Sequence, residues 1–140
     1  MREILFRGKS VDNVKWVYGA IGYHKYRKKY YICDEELENY EIIPETIGQY
    51  TGLKDENEKE IYEGDILYFS YDIFTGDFDT KVAKGIVKFI DGAFFIKPFE
   101  IEGKKVDDIE TEEWFLLYRV NEDTLEVIGN IYDKEVEEWK

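Results

Sequence analysis

The stretch that most constrains this chain is Gly85-Ile86-Val87-Lys88-Phe89-Ile90, then Asp91-Gly92, then Ala93-Phe94-Phe95-Ile96. Two runs rich in β-branched and aromatic residues flank an Asp-Gly pair. A tight type I′ turn needs positive φ at both central residues, and Asp-Gly tolerates that best, so the stretch predicts a β-hairpin. A hairpin of this kind commits its surroundings to antiparallel sheet. The rest of the chain agrees, with a hydrophobic period of mostly two, 11 Gly as punctuation, and Pro only at positions 44 and 98.

Read along its length, the chain starts a strand at Ile4-Leu5-Phe6 and turns at Ser10-Val11-Asp12-Asn13, where Asp and Asn bond locally. Lys15 to Gly19 resumes the sheet. Tyr23 to Ile32 reads as a strand, a polar tip and a return strand. A second hairpin is expected from Trp114 to Val120, turning at Asn121-Glu122-Asp123 and returning at Leu125 to Ile128. Helix has little room. Asp133 is placed to N-cap a short C-terminal helix through Glu138, with Glu135 near its positive end and Val136 and Trp139 on one face. Glu35 to Tyr40 reads as one further helical turn. The stretches 54–60, 72–81 and 100–112 read as loops, and the five acids between Asp107 and Glu113 as a solvated one.

The 140 residues suit one domain, 1–140, with no Pro/Ser-rich linker to divide it. An apolar content of 44%, with 12 Tyr and 9 Phe, argues against a disordered acidic chain, because burying that much ring surface offsets the entropy of ordering. No apolar run reaches the roughly 18 residues of a membrane-spanning helix. The start, Met1 to Gly8, is charged and lacks the apolar core of an export signal. Cys33 is the only cysteine, so no intrachain disulfide forms, and the expected compartment is a reducing cytoplasm.

The charge of −13 is unevenly spread. Residues 1–33 carry eight bases and two acids, leaving −19 on residues 34–140. Such a split fits a basic binding face, or two parts of a chain that fold against each other.

Catalytic constellations are missing. His24 is the sole histidine and sits at the Tyr-rich tip, nine positions before Cys33. A hairpin brings such residues toward each other, but a buried Cys and a solvated His account for them more simply. Ser10 and Ser70 lack a Gly-x-Ser-x-Gly setting. One Cys and one His supply half of a structural zinc site. Asp55 to Ile66 begins like a calcium loop, but Glu60 and Ile66 stand where Gly and Glu are required. Asp72, Asp77 and Asp79 are candidates for a weak calcium cluster, against the simpler reading of a solvated loop. Phosphate-cradling glycine motifs are absent. No enzyme activity, metal or cofactor is expected.

Ile43-Pro44-Glu45-Thr46-Ile47-Gly48-Gln49-Tyr50-Thr51-Gly52-Leu53-Lys54-Asp55, followed by Lys59-Glu60-Ile61-Tyr62-Glu63-Gly64-Asp65-Ile66-Leu67, resembles the signature of the YopX family, small proteins of phages and prophages. Met1 to Gly8 with Trp16 to Gly19 resembles the family's start, and Glu126 to Asp133 its end, so the resemblance covers nearly the whole chain. One departure stands out. Members typically have Asn-Gly before the Ile-Tyr-Glu-Gly-Asp stretch, whereas Asn57-Glu58 stands here. Glu adopts positive φ at greater cost than Gly, so this turn is expected to be longer or looser. The resemblance implies a small β-barrel-like protein encoded by a phage or prophage; the fold expected is mainly β, a small β-barrel-like or strongly bent antiparallel sheet domain with the short C-terminal helix read from Asp133. It carries over no catalytic residue.

Within the motif, Gly48, Gly52 and Gly64 are expected where strands begin or end, and Asp65 is placed to bond nearby amides and fix the entry to Ile66. Gln49 and Thr51 alternate with Ile47 and Tyr50 in a half-buried pattern. A functional reading instead has Glu45, Gln49, Tyr50 and Thr51 line a cleft.

The leading expectation is a non-enzymatic protein-interaction module, since Tyr and Trp are enriched at binding hot spots. Its partner is a host or phage protein, or a second copy whose acidic portion receives the basic hairpin. The alternative is nucleic-acid binding through residues 23–31, where Lys25, Arg27, Lys28 and Lys29 alternate with Tyr23, Tyr26, Tyr30 and Tyr31. The −19 remainder opposes a polyanion. A third reading has the acidic portion mimic DNA toward a host DNA-binding protein.

Overall fold

The computed structural model describes residues 4–75, 77–107, 114–120 and 122–133. Two compact units form along the chain, Met1–Gly52 and Leu53–Lys140. The chain is mainly β, in curled antiparallel sheets. Among the described residues there is no α-helix, only single 3-10 turns. The C-terminal helix predicted from Asp133 falls on residues 134–138, outside the described residues. Among the described residues no helix is long and apolar enough to cross a membrane.

The first unit contains β1 (Phe6–Lys9), β2 (Trp16–His24), β3 (Lys29–Cys33), β4 (Asn39–Ile42) and the start of β5 (Gly48–Lys54), in the order β4-β3-β2-β1-β5. All neighbours are antiparallel. The sheet curls far enough for Ile42, at the end of β4, to bridge Ser10 just beyond β1. The Val11 N–H donates to the Glu41 carbonyl at 2.9 Å and the Ile43 N–H to the Lys9 carbonyl at 2.9 Å, closing that seam. Val17, Ile32 and Ile42 fill the inside of the curl, with Phe6, Ile21, Tyr40 and Ile47 packed around them. The Ser10–Asn13 turn forms as expected. The Ser10 hydroxyl donates to the Asn13 carboxamide oxygen, and the Lys15 N–H donates to the same oxygen at 3.1 Å. Residues 35–38 make a turn, but Asn39 and Tyr40 belong to β4, because they pair with Cys33 and Ile32.

The second unit contains β6 (Glu60–Tyr62), β7 (Asp65–Thr75), β8 (Asp77–Ile90), β9 (Ala93–Ile101), β10 (Lys104–Lys105), β11 (Phe115–Leu116) and β12 (Glu126–Asn130). Its sheet runs β10-β9-β8-β7-β12, with β11 also on β9. The predicted Asp91-Gly92 hairpin is present, with φ of 52° and 83° and Ile90 opposite Ala93. Leu67 and Phe69 of β7, Ala83 and Val87 of β8 and Ile96 of β9 face one way and meet Ile61, Leu117, Val120 and Leu125. The fully buried Phe69 ring lies 5.2 Å from Phe115 edge-on, and its burial is worth about 2–3 kcal/mol.

Three expectations are corrected here. The second hairpin does not form: Phe115–Leu116 pairs with β9, and Glu126–Asn130 pairs with β7. A 3-10 turn at Leu117–Arg119 carries the chain away from β11 and buries Leu117 and Val120 in the core, which the two segments could not do if paired together. The stretch 72–81 is not a loop but the end of the β7–β8 ladder, paired through Thr75 and Asp77. Likewise Glu102-Gly103 is a tight turn joining β9 to β10.

The turn at 55–59 also differs from expectation, being tight rather than loose. The Asp55 N–H donates to the Lys59 carbonyl at 2.8 Å and the Glu58 N–H to the Asp55 carbonyl at 3.0 Å. Glu58 takes a φ of 63°, a conformation that Gly adopts without strain. Its side chain is exposed. Glu58→Gly is therefore expected to raise stability by about 0.5–1 kcal/mol, the relief of strain slightly exceeding the added chain entropy. Urea unfolding checks this, and a drop in midpoint would count against strain at this residue.

Candidate functional site

Alternation along β2 and β3 sets up the most featured surface of the first unit. Ile21, Ile32 and Tyr40 are opposed across three strands, and two residues on, Tyr23, Tyr30 and Ile42 are opposed on the same face. That face is core near Ile32 and becomes open at the tip, where Tyr23 and Tyr30 stack at 4.8 Å and are 53% and 38% exposed. β1 pairs with β2 only as far as Gly19, so residues 20–24 of β2 have β3 as their strand partner.

The tip, His24 to Lys29, is held by local bonds. The Lys28 N–H donates to the His24 carbonyl at 2.8 Å, and the Arg27 N–H donates to His24 Nδ1 at 3.1 Å. Lys28 takes a φ of 55° to close the turn. Tyr26 stands at the apex, 90% exposed. Lys25, Arg27 and Lys28 surround it, exposed, whereas Lys29 leans on Glu41 at 3.1 Å. On the sheet face away from the core, Gly22 leaves a hollow of about 500 Å³ bordered by His24, Arg27, Tyr31 and Asn39.

At the other end of the ribbon a turn closes β3 to β4. Asp34 Oδ1 accepts the N–H groups of Glu36 and Glu38, each at 3.0 Å, and Leu37 takes a φ of 64° and is 82% exposed. This turn borders a second hollow of about 500 Å³, lined by Trp16, Tyr18 and Tyr40, by the acids Asp34, Glu35 and Glu36 and by Lys15, with Arg7 and Lys9 lying over the Trp16 ring at 4.5 and 5.3 Å. The Asp34 carboxylate, then burial and the charges of Glu38 and Glu36, hold the Tyr40 hydroxyl above the usual tyrosine range.

A further hollow, of about 560 Å³, lies in the second unit along Ser70–Asp72, Trp114–Leu116 and Arg119. Burial, with a smaller effect of the Glu102 charge, raises the Tyr71 hydroxyl there. Asp72 and Asp79 do not share an ion. Asp72 is opposite Thr80 and accepts its hydroxyl at 2.8 Å, while Asp79 is opposite Ile73, so the two lie on opposite faces. Among the described residues no three His, Cys, Asp or Glu are grouped to hold a metal. His24 and Cys33 are separated by four residue pairs of the β2–β3 ladder, about 13 Å at the usual rise per residue.

The motif residues have structural partners. Gly64 takes a φ of 92°, donates to the Val87 carbonyl at 2.9 Å and accepts from the Ile131 N–H at 2.9 Å. Asp65 is 1% exposed and its Oδ2 accepts the Tyr62 N–H at 2.8 Å, fixing the step from β6 to β7. Gly48 opens β5 opposite Arg7. Gly52 lies within β5, not at its end, at a φ of 87°. Glu45 is exposed, Gln49 is half-buried, and Tyr50 and Thr51 are both buried, so the expected alternation breaks there. Sequence reading missed the Trp16–Tyr18–Tyr40 hollow. The signal available was the acid run Asp34-Glu35-Glu36 directly after the Tyr-rich strand.

No curated protein shows significant similarity to the chain. Among solved structures, protein EF1440 from Enterococcus faecalis is similar over 100% of both chains, with a TM-score of 0.55 and 21% identity, a likeness of fold alone. The model of the YopX protein family matches residues 5–135, which span both units. The chain belongs to the YopX family.

Proposed function

We propose that this chain is a non-enzymatic protein-interaction module of phage or prophage origin, acting in the cytoplasm of its bacterial host and using the β2–β3 ribbon of its first unit. The observation that carries the reading is where apolar surface stays in water. Of the large hydrophobic residues left exposed among the described ones, Ile4, Val11, Val14, Tyr18, Tyr23, Tyr26, Tyr30 and Leu37 lie in the first unit, against Tyr68, Phe89 and Tyr118 in the second. Rigid aromatic rings that stay exposed while a core lies close by are the usual anchors of a protein interface. The charge supports the same choice. Residues 1–52 carry eight bases and eight acids, whereas residues 53–140 carry 11 bases and 24 acids. The first unit is thus the part that a protein surface of either sign approaches without net repulsion.

Affinity capture from host lysate tests this with the intact chain and the double variant Tyr23→Ala, Tyr26→Ala. The expected result is a protein partner whose recovery falls about tenfold or more in the variant, with an unchanged melting midpoint. Equal recovery of the same partners by both would remove the reading. Recovery of nucleic acid instead, lost with Lys28→Glu and Lys29→Glu, would favour the second reading, in which Lys25, Arg27 and Lys28 hold phosphates and Tyr26 stacks on a base.

A further inference from the structure

We infer that the hollow beside Gly22, on the face of the β2–β3 ribbon turned away from the core, binds a small phosphate monoester carried on a flat ring, the class to which nucleoside monophosphates belong. The inference stands apart from the protein-binding reading, which uses the exposed rings of Tyr23 and Tyr26.

The hollow exists because β2 has a glycine where the pleat points outward. A Cβ at Gly22 would meet nothing within 4 Å, so the strand leaves the floor open. The space is about 500 Å³, inside the roughly 300–1,000 Å³ of small-molecule sites. Tyr31, opposite Gly22, lines one side and His24 another. Tyr31 is half-buried, so a flat ring laid on it gains stacking contact at little further ordering cost.

The polar groups around the hollow supply donors. Arg27 brings a guanidinium, Asn39 a carboxamide and Tyr31 a hydroxyl. His24 Nδ1 accepts the Arg27 N–H at 3.1 Å, so the neutral ring carries its proton on Nε2 and offers it to another acceptor. Among the described residues the side chains of Arg27, Tyr31 and Asn39 bond to no protein group. Charge agrees with the donor set. No carboxylate lines the hollow, and none occurs from Asn13 to Cys33, a span that holds Lys15, Lys25, Arg27, Lys28 and Lys29. Glu41 shares this face, opposite Tyr31, but is held by Lys29 at 3.1 Å. Asp34 and Glu38 come one pair beyond Cys33–Asn39, and the Asp34 carboxylate accepts the N–H groups of Glu36 and Glu38.

A phosphate suits this set better than a carboxylate. The Arg27 fork engages two oxygens at once, and the His24 N–H and the Asn39 amide are left for a third. A phosphate monoester has three terminal oxygens and more charge than a carboxylate. Lys25 and Lys28, exposed at the tip, add long-range attraction for such a dianion.

Titration of the intact chain, followed by amide NMR shifts, tests this with adenosine 5′-monophosphate and phenyl phosphate. Both are expected to bind with a Kd of about 1 mM or tighter and to move the signals of Gly22, His24, Arg27 and Tyr31. Inorganic phosphate lacks the ring, adenosine the phosphate and benzoate the third oxygen, so each is expected to bind about tenfold or more weakly. Gly22→Val fills the floor and Arg27→Gln removes the fork. Each is expected to weaken both probes about tenfold or more, with an unchanged melting midpoint. Tyr26→Ala, at the apex, is expected to leave them unaffected. The inference is overturned if neither probe binds, or if benzoate matches phenyl phosphate. Shifts confined to Lys25 and Lys28 that survive Gly22→Val and Arg27→Gln overturn it too, because the tip would then attract anions without a site. A partner protein captured through Tyr23 and Tyr26 would stand in each of those cases, so the two readings fail separately.

Discussion

Asp55→Ala is expected to cost the second unit about 3 kcal/mol or more, the lost value of three charge-assisted bonds. Asp55 is 6% exposed and serves two segments at once. Its Oδ1 accepts the N–H groups of Asn57 at 2.9 Å and Lys59 at 2.8 Å, which holds the turn that keeps Glu58 at positive φ. Its Oδ2 accepts the Val127 N–H at 2.9 Å, beside the bond from the Glu56 N–H to the Leu125 carbonyl. The carboxylate therefore ties the turn before β6 to the start of β12. Alanine leaves three backbone donors without the acceptor that serves them, and the thermal midpoint should fall by more than about 10 °C. Asp55→Asn separates the two roles. Its carbonyl oxygen still serves the turn, but its NH₂ meets the Val127 N–H donor to donor, so about half the loss should remain. Hydrogen exchange then speeds at Val127 in Asn and at Asn57, Lys59 and Val127 in Ala. An alanine variant within about 1 kcal/mol of wild type would show that the carboxylate is not what joins these segments.

Asp55 also shows where sequence reading stops. That a turn falls at Asn57-Glu58 was legible, and so was the departure of Glu58 from Gly, but the part Asp55 plays in holding that turn was not read. Its bond to Val127 was not legible, because nothing local marks two segments separated by 72 positions as neighbours. The same division holds for the fold. Asp91-Gly92 and the Tyr23–Ile32 ribbon were readable since turn chemistry and period-two alternation lie in one continuous stretch. Residues 72–81 looked like a loop because Asp and Thr dominate them, yet the long ladder from Ile66–Ile86 to Thr75–Asp77 makes polar residues into strand. The segments at 115 and 126 looked like partners for the opposite reason. Both are apolar and close in sequence, but each found a longer strand to pair with. For the candidate site, the cationic tip could be read from residues 23–31 alone. The hollow could not, since Trp16 and Tyr18 meet Asp34 and Tyr40 only after β2, β3 and β4 are laid side by side.

Gly19→Ala is expected to be the most damaging small substitution in the first unit, at about 3 kcal/mol or more, with Gly22→Ala on the same strand as its control. Gly19 pairs with Phe6, where β2 leaves β1, and the next residue, Ala20, starts the pairing with β3. A Cβ there would collide with the Cys33 carbonyl oxygen and lie 2.8 Å from the carbonyl carbon and 3.2 Å from the Asp34 Cα. All three are backbone atoms, so no side-chain rotation relieves the clash. Relief requires β3 to move away just where it turns into Asp34, and that movement loosens Ile32 from the core of the curl. At Gly22 a Cβ meets nothing within 4 Å, and the position lies on the ordinary pleat opposite Tyr31. Gly22→Ala should therefore stay within about 0.5 kcal/mol of wild type, tending to stabilise by reducing the freedom of the unfolded chain. Denaturant midpoints of the two variants, measured with a probe of the first unit such as hydrogen exchange at Ile32, decide the matter. Equal shifts would mean that loss of glycine in β2, not the approach of the Cys33 carbonyl, sets the cost. A large gap would also place the Asp34 turn, and with it the acid rim of the hollow, under the control of a single missing methyl group.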